Sequence, residues 1–221
     1  MSAIQMAPNA SGTGTLSIAS PNTISNRTLT LPDQTGTLVS TSGVNAVGQI
    51  PFSTDGSTYT ATAKIVSGTA VASTSGTSID FTSIPSWVKR ITVMFQGVST
   101  NGLSNYIIQL GTGSTTYTTS GYLGTSTVSS SGGNNAANMS TGFLLNQSSQ
   151  GATCVFHGLI TVALLGSNNW VASGYCGESD AARGWTTGGS VALGATLTAV
   201  RITTVNGTDT FDAGSINLLW E

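Results

Sequence analysis

The densest group of reactive side chains in the chain is Glu178, Asp180, Arg183 and Trp185, within Gly177-Glu178-Ser179-Asp180-Ala181-Ala182-Arg183-Gly184-Trp185. Paired carboxylates can share acid and base roles across a glycosidic bond. A planar guanidinium beside an indole can instead hold a polar ligand by hydrogen bonds and stacking. Glycine flanks the stretch, so its ordinary reading is a solvated loop in which Arg183 balances the two acids. A ligand or ion contact at a loop tip is the functional alternative, and catalysis is the weakest. His157 is the sole histidine and lies in Val155-Phe156-His157-Gly158-Leu159, a strand-like run. No Gly-x-Ser-x-Gly nucleophile elbow accompanies it, so no triad is expected. Cys154 and Cys176 do not make a disulfide framework. They read as small apolar residues in strands, with a single bridge left open. Zinc would need more ligands than one histidine and two cysteines offer, so no metal or other cofactor is expected. Tyr117 and Tyr122, flanked by Gly, Ser and Thr, join Trp185 as aromatics able to stack on a ring. Trp87, Trp170 and Trp220 look like core residues.

Composition limits what such residues can serve. Charged residues are 6% of the 221, and the formal net charge is -2. Nucleic-acid binding needs a basic surface that displaces counterions, and none is encoded. A polybasic membrane contact fails for the same reason. The longest apolar run, Leu159 to Leu165, is interrupted by Thr161 and is far shorter than the ~20 residues of a membrane helix. The first ten residues lack the basic start and apolar stretch of a secretory signal. Hydrophobic residues still reach 38%, with many β-branched and aromatic types, which argues against disorder.

Composition also shifts along the chain. All four tryptophans and five of six phenylalanines follow Lys64. Residues 1–64 carry scattered apolar residues, too few to offset a backbone entropy of ~1–2 kcal/mol per residue. If that part is ordered, it must bury apolar surface against other chains. Short alternating strands are expected at Thr15-Leu16-Ser17-Ile18, Arg27-Thr28-Leu29-Thr30-Leu31 and Thr35-Gly36-Thr37-Leu38-Val39, with turns at Ser20-Pro21-Asn22 and Pro32-Asp33. Asp55-Gly56 signals a hairpin with a primed turn. Residues 65–221 read as the strands of a β-sandwich: 87–95, 105–110, 154–165 as a central strand, 170–175, 196–205 and 211–220. Asn206-Gly207 reads as a turn and Gly214 as a bulge. Residues 125–141, rich in Ser, Gly and Asn, read as a long exposed loop. No amphipathic helix is encoded.

Gly14-Thr15-Leu16-Ser17-Ile18-Ala19-Ser20-Pro21 and Ser25-Asn26-Arg27-Thr28-Leu29-Thr30-Leu31-Pro32-Asp33-Gln34-Thr35-Gly36-Thr37-Leu38-Val39 resemble a segment of bacteriophage tail-fibre and other virion fibre proteins. Gly48-Gln49-Ile50-Pro51-Phe52-Ser53-Thr54-Asp55-Gly56-Ser57 is similar to the linker that follows it there. Phe211-Asp212-Ala213-Gly214-Ser215-Ile216-Asn217-Leu218-Leu219-Trp220-Glu221 is similar to the last strand of small fibre heads. Asn26 to Asp33 is the most specific of these motifs. The resemblance implies a parallel homotrimer with a role in host recognition or particle architecture.

The expectation is therefore an all-β, non-enzymatic virion fibre. An extended intertwined stem (residues 1–64) would contact other virion proteins at the baseplate, tail or capsid. An antiparallel, jelly-roll-like β-sandwich head (residues 65–221) would follow, in a homotrimer exposed on the particle. Its head would contact a host-surface glycan through Glu178, Asp180, Arg183, Trp185, Tyr117 and Tyr122. The alternative is a capsid head fibre, decoration protein or adaptor without a receptor role.

Overall fold

Alternation of apolar and polar residues sets the frame. In Arg90–Thr100 the side chains of Ile91, Val93 and Phe95 are buried, while Thr92 and Met94 between them are only half-buried. Such period-two burial is the signature of a strand with one face on a core. The structure is a computed structural model. It describes residues 49–53, 59–63, 65–146 and 152–221, and Ile24 alone before them. Packing divides the chain at Val39/Ser40, and the strands below all belong to Ser40–Glu221.

The first two strands, β1 (Gln49–Ser53) and β2 (Tyr59–Ala63), pair antiparallel with each other. The last registered pair is Ser53 with Tyr59. That register centres on Gly56, whereas a two-residue primed turn at Asp55-Gly56 would pair Thr54 with Ser57. A hairpin is present as expected, but not in the register of that turn; residues 54–58 themselves lie outside the described residues. So do the expected strands and turns between Thr15 and Val39.

Thirteen further strands follow: β3 (Val66–Ser67), β4 (Val71–Ala72), β5 (Ser78–Phe81), β6 (Arg90–Thr100), β7 (Tyr106–Gly111), β8 (Leu123–Ser130), β9 (Gly133–Asn138), β10 (Phe143–Leu144), β11 (Phe156–Gly166), β12 (Asn169–Glu178), β13 (Arg183–Ala192), β14 (Ala199–Thr204) and β15 (Phe211–Trp220). No helix occurs among the described residues. A four-stranded sheet runs β10-β7-β14-β5, and a nine-stranded sheet runs β3-β15-β6-β11-β12-β13-β8-β9, with β4 also on β15. All of these pairings are antiparallel.

The two sheets share one core. Tyr106 of β7 packs edge-on against Phe156 of β11, with ring centroids 4.9 Å apart, and lies 6.2 Å from Phe211 of β15. Ile108 and Leu110 of the small sheet and Val93, Val162 and Ile216 of the large one are buried in one cluster. The expected all-β, antiparallel, sandwich-like character is thus observed. β11 is central as expected, held by β6 on one side and β12 on the other. The bulge expected at Gly214 is present: the β15–β6 register slips on both sides of Ala213, and Gly214 has φ +91°.

Residues 125–141 are not the expected loop. All but the last three of them lie in the β8–β9 hairpin, closed by a tight turn with Ser130 opposite Gly133. Ser126 and Val128 point inward and are buried, so the stretch has strand alternation with a serine on its apolar face. Pairing with β13 supplies the backbone partners, which Ser and Thr accept as readily as Val.

Candidate functional site

The β12–β13 turn is built by ladder register. Glu178 stands opposite Arg183, leaving residues 179–182 as the connection. Two further pairings extend the row: Arg183 faces Ser130 on β8, and Ser130 faces Gly133 on β9. The next row on the same sheet face is Cys176, Trp185, Val128 and Asn135. Both rows face the core side at one end of the large sheet. There Val128, Ser130, Asn134, Asn135, Arg183 and Trp185 line a hollow of about 360 Å³. The fold therefore merges two stretches that the sequence offered separately, 177–185 and 125–141.

Three of the expected contact residues are corrected: Glu178 is buried, with its side chain 2% exposed, and so are two of the aromatics. Trp185 is 1% exposed, with its ring tilted against Phe156 at 6.2 Å between centroids. Its ring is therefore part of the core. The indole Nε1 is buried without a hydrogen-bond partner. Tyr122 is also 1% exposed; its ring stands edge-on to Phe143 at 5.0 Å, and its Oη accepts the Leu110 N–H at 2.8 Å. Burial pushes the Tyr122 hydroxyl up to about 12. Neither ring face can stack on an external ligand.

Tyr117 is half-buried and bridges Gly111 at the end of β7. The Arg201 guanidinium lies 4.0 Å from its ring centroid. Arg201 also grips Asp80, its cross-strand partner, through two bonds of 2.7 Å. Nothing in the sequence signals this triad, because β5 and β14 are 121 positions apart at that pair. A second hollow of about 430 Å³ there includes Gln109, Thr141, Arg201 and Thr203. Its polar groups are already committed: the Gln109 amide donates to the Thr141 carbonyl at 2.9 Å, and the Thr203 hydroxyl donates to the Thr77 carbonyl at 2.7 Å. In the first hollow the Ser130 hydroxyl donates to the Gly133 carbonyl at 3.0 Å and the Asn135 side-chain oxygen accepts the Ala136 N–H at 2.9 Å, which leaves the Asn135 amide N–H groups uncommitted.

Beside that hollow, Cys154, Glu178 and Asp180 place their ligand-capable atoms within 4.8 Å of one another. Asp180 Oδ1 accepts the Val155 N–H at 3.0 Å, which holds the turn against the start of β11. Glu178 Oε2 lies 3.6 Å from Arg183 Nη1. Burial raises the Glu178 carboxyl above the usual carboxylate range, against the opposing pull of the Cys154 thiol and the Arg183 charge, with the nearby Asp180 charge adding to the rise. Burial likewise holds the Cys154 thiol protonated and pushes Cys176 up to about 12. Both cysteines are free. The β11–β12 register sets Cys176 opposite Gly158 and, extended, Cys154 opposite Asp180. Four strand steps between them are about 13 Å, beyond the ~7 Å Cα limit for a bridge. His157 is exposed, and its Nδ1 accepts the Gly97 N–H at 3.3 Å.

The raised Glu178 carboxyl makes stability fall with pH. Below the ordinary glutamate range both folded and unfolded states are protonated, and burial carries no charge. As pH rises, the unfolded chain ionises first and gains relative to the native state, until the native carboxyl also ionises. The penalty is then complete and persists at neutral pH. Glu178→Gln is expected to flatten this decline. Urea midpoints across about pH 4 to 8, bracketing the carboxylate range, measure it. An unchanged slope in the variant would show that Glu178 is not its source.

No protein-family model matches the chain, and no curated protein matches it either.

Proposed function

We propose that this protein is a bacteriophage virion fibre, homotrimeric, whose β-sandwich head contacts a host-surface glycan through the open end formed by β8, β9 and β13. The observation that carries this reading is the hollow itself. It combines a guanidinium, two asparagine amides and a serine hydroxyl at one sandwich end. Neutral and acidic sugars are recognised by such convergent donors on a rigid scaffold. The fibre-like Asn26 to Asp33 segment supports a virion role, with residues 1–64 as the attachment and stem part. The trimer has separate support. On the outer face of the large sheet Leu159 and Tyr175 stand opposite each other, 48% and 58% exposed, and neighbouring subunits would cover them. Three heads per fibre would raise avidity without new contacts.

A glycan array probed with the purified full-length protein tests this. Wild type is expected to bind a discrete set of oligosaccharides. Arg183→Ala and Asn135→Ala are each expected to weaken that binding about 5- to 30-fold per head, equivalent to ~1–2 kcal/mol. Binding that survives both substitutions rejects this hollow. No binding to any glycan favours a head-fibre, decoration or adaptor role instead.

A further inference from the structure

We propose that Cys154, Glu178 and Asp180 form a binding site for one divalent transition-metal cation of the zinc class. The three come together for a simple reason. The β11–β12 register, extended past the paired Phe156 and Glu178, sets Cys154 opposite Asp180. The Ser179 N–H to Val155 carbonyl bond at 3.0 Å and the Val155 N–H to Asp180 Oδ1 bond hold that extension in place. Glu178 lies two residues back, on the same face.

The mutual spacing of up to 4.8 Å is close to what coordination needs. A tetrahedral zinc with Zn–S near 2.3 Å and Zn–O near 2.1 Å sets its ligand atoms about 3.6 Å apart, so a contraction of about 1 Å completes the shell. An independent sign of a missing ligand is Glu178 itself. The residue is 8% exposed, and its Oε2 is buried with no hydrogen-bond donor. Arg183 Nη1, at 3.6 Å, lies beyond hydrogen-bond length, and one guanidinium offsets only one of two carboxylates. A cation at this point would coordinate the Glu178 Oε2, which accepts no hydrogen bond and has only the longer Arg183 ion pair, and would offset the second carboxylate charge.

The donor set selects the class. One sulfur and two carboxylate oxygens suit a borderline cation and not magnesium or calcium, which take oxygen shells. Cys154 is buried and Asp180 exposed, so the solvent side leaves a fourth position for water. Coordination forms an S–metal bond and sends the Cys154 thiol proton to the buffer; no electron changes hands. The site is independent of the glycan reading.

The test uses the full chain, reduced and stripped with chelator, then titrated with cobalt(II) chloride and zinc chloride. One cobalt per chain is expected, with thiolate-to-cobalt charge-transfer absorption in the near ultraviolet that zinc abolishes by displacement. Cys154→Ser should lose that absorption, and Cys176→Ser should keep it. Asp180→Asn, which keeps an amide oxygen to accept the Val155 N–H, should weaken zinc at least about tenfold. Absence of cobalt and zinc binding by wild type overturns the proposal. So does absorption that survives Cys154→Ser, or zinc affinity unchanged by Asp180→Asn. If Cys154→Ser fails to fold, the Asp180→Asn affinity decides alone.

Discussion

Trp185→Ala is expected to destabilise the protein by about 3–5 kcal/mol, the range for truncating a large buried aromatic. The ring is among the largest fully buried side chains and packs against Phe156, which in turn packs against Tyr106 of the opposing sheet. Removing it opens a void between the sheets that rigid ladders on both sides of β13 cannot close. Trp185→Phe keeps most of the contact and removes an N–H that has no partner, so its cost should be much smaller. Urea unfolding followed by far-ultraviolet circular dichroism measures both. An alanine variant as stable as wild type would mean that the indole is not part of the core, and the assignment of its faces would fail.

Gly214→Ala is expected to cost a comparable amount, about 2–6 kcal/mol, combining left-handed backbone strain with overpacking. Gly214 has φ +91°, where a β-carbon is unfavourable. That carbon would also lie 2.3 Å from the Gly97 carbonyl oxygen and 2.6 Å from that of Gln96. These atoms are backbone in the paired strand, so no side chain can move aside. Gly97 has φ +64° directly across, so both strands turn together at the bulge. The same substitution at Gly207, with φ +68° but no atom within 4 Å, carries only the strain and should cost less. Equal losses at both positions would show that crowding at the bulge contributes nothing.

Much of the fold was readable because a strand's facing is a local property. Ile91, Val93 and Phe95 announce their buried face by alternation, and the structure buries all three; in Ala199–Thr204 both faces are buried except at Arg201, so alternation there marks the strand but not its buried side. Gly214 interrupting an apolar alternation announced the bulge. Trp87 and Trp220 were expected at the core, and they pack against it partly buried; Trp170 is buried in it. Composition alone set the scarcity of charge, whatever the fold.

Other features were not local. Trp185 sits among Gly and Thr, which read as loop, yet β12 and β8 complete its backbone bonds on both sides and turn its side chain inward. Gly184 is not a loop residue either. A β-carbon there would meet the Tyr175 ring, with Tyr175 Oη 2.1 Å away, so the glycine makes room for a cross-strand tyrosine. Residues 125–138 lacked large apolar side chains, and only pairing with β13 reveals them as a strand and its hairpin partner.

The candidate site shows the division most clearly. The sequence determined that Glu178, Asp180 and Arg183 would be near each other, since they share one turn. It contained no statement that Cys154 would join them, or that Ser130, Asn134 and Asn135 would border the same hollow. Those neighbours follow from the registers of β11 with β12, β13 with β8, and β8 with β9. Alternation says which way a side chain points but not which side chain stands across from it. That choice is made by pairing free energy summed over whole ladders and by two sheets closing on one core, and only the assembled tertiary structure contains either.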